Sequence, residues 1–164
     1  MRTAIVLSLI LASAAQAAPS DAAIDSHLAA IKDWDKPTKE QMVTLVKAAA
    51  DYIAAHGKDA AFKEFQTRPG KFNKGELYIY AYDMNCVVLA HGIKTMLVGK
   101  NLGDITDKNG LKPNQALRDA ARSGGGFVEF YWENPLTKKQ QKKLGYAMKI
   151  DETYYIGSGI YLDE

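Results

Sequence analysis

Residues 76–91, ELYIYAYDMNCVVLAH, decide the fold of this chain. The segments 76–82 and 86–91 are rich in aromatic and β-branched residues, and a turn sequence separates them, so the pattern predicts a β-hairpin. Alternation along the first segment places Tyr78, Tyr80 and Tyr82 on one face of the strand. Phenols provide an apolar wall with a hydrogen-bonding tip, which suits either a ligand pocket or a half-buried, solvated sheet face.

Helices are predicted before this hairpin. The segment 18–37 contains a short helix from Asp21 to Trp34. A long helix follows, because Thr38 and Gln41 form a capping-box pattern ahead of apolar residues at helical spacing. Gly57 is expected to end this helix, since glycine accepts the left-handed conformation at low cost. A second short helix is predicted over 59–66.

The chain after the hairpin predicts one helix and three strands. The helix spans 113–122, and the strands span 127–132, 143–150 and 153–161. Helices gathered first and a meander of strands later indicate an α+β domain with an antiparallel sheet. We expect the long helix to cover one face of this sheet and leave the other face for a pocket.

The N-terminus has the pattern of a secretory signal peptide over residues 1–17. Arg2 precedes an apolar run that is too short to span a bilayer, and the small-residue triplet 15–17 ends it. This pattern predicts export to the periplasm or beyond the cell. The alternative interpretation is a buried N-terminal helix. No later segment is apolar enough for a membrane span, so no membrane insertion is expected after cleavage.

Composition and motifs argue against several functions. The net charge of +2 gives no basis for nucleic-acid binding. Cys86 is the sole cysteine, so the fold cannot rely on an internal disulfide; we expect it in a strand as a small apolar residue, with a reactive thiol as the alternative. The three histidines lack metal-site spacing, and Ser158 does not lie in a nucleophile elbow. No cofactor, metal or catalytic site is predicted.

Several short motifs, in this order and spacing, carry a resemblance to a known family. They are GELYIYAYD (75–83), LAH (89–91), GKNL (99–102), DKNG (107–110), GGFV (125–128), WENP (132–135), KLGY (143–146) and GSGIY (157–161). Over residues 38–161 the chain resembles the single Cache domain of type 2, a PAS-like extracytoplasmic sensor module, and the predicted ligand-binding domain spans 38–164. The resemblance implies an α+β fold in which a long N-terminal helix packs on a five-stranded antiparallel sheet.

The resemblance also implies a binding site for a small molecule, a short carboxylate such as acetate, propionate, lactate or pyruvate. The expected ligand-binding residues are Tyr80, Tyr82, His91, Trp132, Lys143 and Tyr146. Cations would hold the carboxylate, with His91 expected to be charged beside the anion. Val128, Phe130 and Trp132 alternate on the face expected to meet the pocket. The chain departs from the family pattern at Gly92, where proline is common, and at Phe130, where tyrosine is common.

Each of these residues also has a purely structural interpretation. His91 can be a satisfied structural histidine, Trp132 can be ordinary core, and the lysines of 138–143 can guard a solvated sheet edge. The first hypothesis is a sensor module whose occupancy a membrane receptor, kinase or transporter reads. The second is an envelope protein that docks on another protein without binding a metabolite. An enzyme is a third and weaker hypothesis, because no nucleophile, base and orienting group fall together.

Overall fold

The computed structural model describes residues 17–162. The predicted signal peptide, except for Ala17, lies outside the described residues. The elements in chain order are α1 (Asp21–Ala29), α2 (Lys39–His56), α3 (Lys58–Gln66), β1 (Asn73–Lys74), β2 (Leu77–Tyr78), β3 (Tyr80–Asp83), β4 (Val88–His91), a 3-10 turn (Thr95–Leu97), α4 (Pro113–Arg122), β5 (Gly126–Glu133), β6 (Gln140–Lys149) and β7 (Tyr154–Tyr161).

The five longer strands form one antiparallel sheet in the order β4-β3-β7-β6-β5. β1 and β2 form a separate two-stranded ribbon beside it. The α+β fold with an antiparallel sheet, predicted from the strand pattern, and the five strands implied by the resemblance are confirmed. The side chains of β3 and β7 are buried on both faces of the sheet, except at Asp83 and Tyr161.

The sheet separates two apolar cores. Helices α1, α2 and α3 cover one face, where the core includes Met42, Leu45, Phe65 and Ile156. Helix α4 and the segment 92–112 cover the opposite face, where the three tyrosines of the hairpin are buried. This three-layer arrangement puts the face opposite the long helix inside the domain, as predicted.

The long helix begins and ends as its sequence predicts. The Thr38 hydroxyl accepts a hydrogen bond from the backbone N–H of Gln41 at 3.3 Å, and the Gln41 side-chain oxygen accepts one from the Thr38 N–H at 2.9 Å. These bonds satisfy two N–H groups at the helix start. At the other end Gly57 has a φ of 82°, in the left-handed region.

Several element boundaries differ from the prediction; the first strand of the hairpin, for example, is divided at Ile79 into β2 and β3. Helix α1 ends at Ala29, before Trp34. The Asp33 carboxylate accepts hydrogen bonds from the N–H groups of Asp35 and Lys36, which builds a turn in place of the last helical residues. Strand β6 starts at Gln140, three residues early, because Gln140 pairs with Glu133 of the neighbouring strand.

The segment 92–112 is held against the sheet by polar contacts of its own. Asp107 accepts hydrogen bonds from the N–H groups of Asn109 and Leu111 with one carboxylate oxygen, and from the N–H of Tyr131 in β5 with the other, at 3.0 Å. Desolvation raises the pKa of the Asp107 carboxyl, but the backbone hydrogen bonds together outweigh it and lower that pKa. The segment is thus fixed to the edge of the sheet and closes the second core.

We expect Thr38→Ala to lower the free energy of unfolding by about 1 kcal/mol, since it removes a capping hydrogen bond. The matched control is Thr44→Ala in the same helix, because the Thr44 hydroxyl only donates to the Glu40 carbonyl, which the helix already uses. That change is expected to stay within about 0.5 kcal/mol. Urea denaturation of both variants measures this difference, and equal losses would contradict the role of the cap.

Candidate functional site

A buried cavity lies between the sheet and the layer formed by α4 and the segment 92–112. Its free space is about 20 Å³, which is room for roughly one water molecule. The wall is formed by Tyr78, Tyr80, Tyr82, His91, Asn114, Leu117, Phe130, Trp132 and Lys143. The wall is aromatic on most sides and carries a few polar groups, the usual character of a small-molecule site.

The three tyrosines of the hairpin form one side of this cavity. Their side chains follow one another along the pocket face, with ring centroids 6.5 Å apart for Tyr78 and Tyr80 and 5.6 Å apart for Tyr80 and Tyr82. The Tyr80 hydroxyl donates to the backbone oxygen of Ser158 at 3.1 Å. The Tyr82 hydroxyl makes no hydrogen bond within residues 17–162. Burial raises the pKa of all three phenols, so they remain neutral.

Lys143 is the only lysine among the buried polar residues of 17–162, with 1% of its surface exposed. Its Nζ donates to the Tyr78 hydroxyl at 2.8 Å and lies 3.4 Å from the Tyr161 hydroxyl. It lies over the same two rings, 4.5 and 4.7 Å from their centroids. No carboxylate within the described chain lies within 4.0 Å of this nitrogen. The cation is therefore surrounded by phenols and aromatic faces and has no counter-ion among residues 17–162.

Burial lowers the pKa of Lys143 to about 7, an effect that the charge of Glu76 opposes and the charge of Lys94 strengthens. The charged form loses solvation that the phenols only partly replace. An anion in the cavity would restore that stabilisation and raise the pKa again. The site is thus electrostatically complementary to negative charge.

A glycine makes room for the lysine stem. A Cβ placed on Gly159 in β7 would collide with the Cε of Lys143 on the neighbouring strand, where Lys143 pairs across to Tyr161. In the same way, Gly157 leaves space for the ring of Tyr80. Without side chains at these two positions the lysine and the tyrosine can lie flat across the sheet and meet the cavity.

His91 is held in a defined tautomer at the end of β4. Its Nδ1 accepts hydrogen bonds from the backbone N–H groups of Ile93 and Lys94 at 3.2 and 3.0 Å, so the proton of the neutral ring is on Nε2. Burial, followed by the charges of Lys143 and Lys94, lowers the pKa of His91 to about 3. Without an anion in the cavity the ring is therefore neutral, and a charged His91 beside a bound carboxylate stays a prediction. His91 offers a neutral N–H donor, with its ring stacked on Tyr78.

Five of the six predicted ligand-binding residues line this cavity, and Tyr146 does not. Lys143 and Tyr146 lie three positions apart on β6, so they point to opposite faces of the sheet. Tyr146 packs with the helical core and its ring contacts Phe127. The prediction that Tyr146 joins Lys143 in one pocket is wrong for this reason.

Two wall residues were missed from the sequence. Asn114 and Leu117 belong to α4, which crosses the open side of the pocket face. The buried side of α4 is visible as an apolar pattern, but nothing local indicates that this side meets the tyrosines. The alternation of Val128, Phe130 and Trp132 toward the same core is confirmed.

Residues 17–162 contain no cluster of three or more histidine, cysteine or acidic side chains that would hold a metal ion. Within the same range, no helix combines the length and apolarity needed to cross a membrane.

Cys86 lies in the turn before β4 with a φ of 65°, not in a strand as predicted. Burial raises the pKa of its thiol.

Known proteins resemble this chain in sequence and in fold. The sensor histidine kinase MctS of Rhizobium johnstonii is 29% identical over 131 residues, which are 79% of this chain and 24% of the kinase. A methyl-accepting chemotaxis protein of Vibrio parahaemolyticus is 33% identical, with a TM-score of 0.61, covering 85% of this chain and 91% of that one. A Cache chemosensory domain studied for carboxylic acid recognition is 22% identical, with a TM-score of 0.63, covering 76% and 92%.

The chain spans about a quarter of the kinase that it matches. The sequence profile of the family described as single Cache domain 2 matches residues 35–164, which are most of the chain and all of the sheet. The chain therefore belongs to the single Cache domain 2 family, a family of sensor domains that occurs in chemotaxis receptors and histidine kinases.

Proposed function

We propose that this protein is a periplasmic sensor module that binds a short-chain carboxylate in the cavity beside Lys143. The observation that carries the proposal is a fully buried lysine whose ammonium has phenol partners and, among the described residues, no carboxylate. A buried charge without a counter-ion is costly, and a bound carboxylate removes that cost with a charge-assisted hydrogen bond.

The neighbouring polar groups are arranged to hold the same anion. Because Nδ1 of His91 accepts from two backbone amides, the ring proton is on Nε2. This N–H can donate to a ligand. A carboxylate has two oxygens, so it can accept from Lys143 with one and from His91 with the other. Tyr82 and Trp132 then line the space for the alkyl part. The carboxylic acid recognition of a similarly folded Cache domain supports this class of ligand.

The size of the cavity limits the ligand to a few atoms. Free space of about 20 Å³ does not hold acetate beside the lysine as it lies. The Lys143 side chain has four rotatable bonds and must swing away from Tyr78 as the ligand enters. Acetate, propionate, lactate and pyruvate fit a space made in this way, whereas larger acids require the α4 layer to move.

The same small volume favours a second candidate function. A cavity filled by its own lysine and tyrosines is also what a domain without a metabolite would have. In that case the protein is an envelope component that docks on a partner, and the buried aromatic residues serve as core. Failure of every short carboxylate to bind would favour this candidate.

Signalling requires that another protein read the occupied state. The relatives place comparable domains in a histidine kinase and in a chemotaxis receptor, as parts of longer chains. We propose that a membrane receptor, kinase or transporter plays this part here. The segment 92–112 and α4 cover the cavity, so they are the surface on which we propose that occupancy is read. No catalytic role is proposed for the domain.

Replacing Lys143 by methionine tests the anion site directly. Lys143→Met keeps the approximate length of the side chain and removes the charge, so we expect a folded protein that no longer binds carboxylates. In a thermal-shift assay, a ligand at a hundredfold excess over its Kd stabilises the wild type by about 2.7 kcal/mol, which is several degrees. The variant is expected to show no shift.

The matched control is Lys142→Met on the adjacent, solvent-facing position, where Lys142 pairs with Glu129. This variant should keep the full shift. A Lys143→Met protein with unchanged affinity would remove Lys143 from the site.

The pH dependence follows from the lowered pKa of Lys143. Since this pKa is about 7 in the folded state and 10.5 for the free side chain, the unfolded chain binds more protons between these values. The unfolding free energy of the unliganded protein should therefore rise with pH above about 7, relative to Lys143→Met. Only the charged amine attracts a carboxylate, so affinity should fall, by up to about tenfold per pH unit.

Denaturant unfolding of both proteins between about pH 7 and pH 9, with and without ligand, measures these opposite trends. A carboxylate affinity that stays constant over this range would contradict the role of the ammonium.

A further inference from the structure

One wall residue differs in chemistry from all the others. Asn114 lies in the first turn of α4 with 3% of its surface exposed, and it lines the same cavity as Lys143. Its Nδ2 donates to the backbone oxygen of Leu102 at 3.0 Å. Because a backbone oxygen can only accept, this bond fixes which end of the amide is nitrogen. The carbonyl oxygen Oδ1 accepts no hydrogen bond from residues 17–162.

The other polar groups of the wall that can meet a ligand are all donors, and Lys143 would do so after it leaves Tyr78. They are the ammonium of Lys143, the Nε2–H of His91, the hydroxyl of Tyr82 and the indole N–H of Trp132. Asn114 Oδ1 is an acceptor only. A ligand that is a bare carboxylate satisfies the donors and leaves this oxygen unpaired, and an unpaired buried acceptor lowers affinity.

We infer that the cavity selects a 2-hydroxy carboxylate, with the ligand hydroxyl donating to Oδ1 of Asn114. This inference rests on the proposed carboxylate site and adds a specificity-determining residue to it. A hydroxyl on C2 of the ligand is a neutral donor from which Oδ1 of Asn114 can accept. An ammonium at the same carbon would also donate, but it would meet the buried cation of Lys143 in a wall that contains no carboxylate among the described residues.

Four three-carbon acids that differ only at C2 test the inference on the wild-type protein. Lactate carries a hydroxyl, propionate a hydrogen, pyruvate a carbonyl oxygen and alanine an ammonium. We expect lactate to bind at least about tenfold more tightly than propionate, since a site built for a hydroxyl rejects its absence. Pyruvate should bind more weakly than propionate, because its C2 carbonyl oxygen would face Oδ1 of Asn114, which is also an acceptor. Alanine should bind more weakly than lactate.

Isothermal titration calorimetry of the mature protein gives the four affinities. Propionate or pyruvate equal to lactate would overturn the role of Asn114 and leave the carboxylate site intact. No binding by any of the four acids would instead overturn the proposed function, so the two failures are distinguishable.

A variant supplies a second measurement. Asn114→Leu keeps the approximate volume and removes the acceptor, so lactate and propionate should then bind equally. Circular dichroism checks that the variant folds, because it also loses the bond to Leu102. Retention of the lactate preference by a folded Asn114→Leu protein would contradict the inference, and if the variant does not fold, the wild-type series alone decides.

Discussion

The contact between the Lys143 ammonium and the Tyr78 hydroxyl is the interaction around which the pocket face is built. A lysine in the middle of a sheet must either reach solvent or find partners inside the domain. Here the partners are two phenols, supplied by β2 and β7. A side chain at Gly159 on β7 would collide with the lysine stem, so the buried position of Lys143 requires glycine there.

The charge also accounts for the state of its neighbours. His91 stays neutral because it is buried near Lys143 and because two backbone amides occupy its Nδ1. The tyrosines stay neutral because burial disfavours phenolates. When protonated, Lys143 is therefore the only charged residue among those that line the cavity. Such a wall differs from an ordinary apolar core, where buried polar groups pair with each other.

The two faces of the sheet have different roles in the domain. The helical face is a continuous apolar core, and its stability comes from packing of α2 on β7 and its neighbours. The pocket face is smaller, is rich in tyrosine, and depends on α4 and the Asp107-anchored segment for its cover. A ligand that enters the proposed site would therefore contact the smaller core and not the larger one.

Local patterns in the sequence determined the class of fold. The capping box at Thr38, the glycine after His56 and the period-two alternation of the hairpin each act over a few residues, and the structure has all three. The same alternation correctly put Tyr78, Tyr80 and Tyr82 on one face. Applied to β6 it would have separated Lys143 from Tyr146, because an odd offset reverses the face of a strand.

Which distant groups meet in the site follows from the packing of the folded domain and not from local sequence patterns. The sequence cannot place α4 over the tyrosines, because the position of a helix on a sheet depends on packing between residues far apart in the chain. Asn114 lines the cavity only because α4 packs there. Nor can the sequence give the charge of His91, since that follows from burial and from the nearby Lys143 and Lys94. Periodicity fixes the local faces of helices and strands, whereas the three-dimensional packing of those faces fixes the site and its electrostatics.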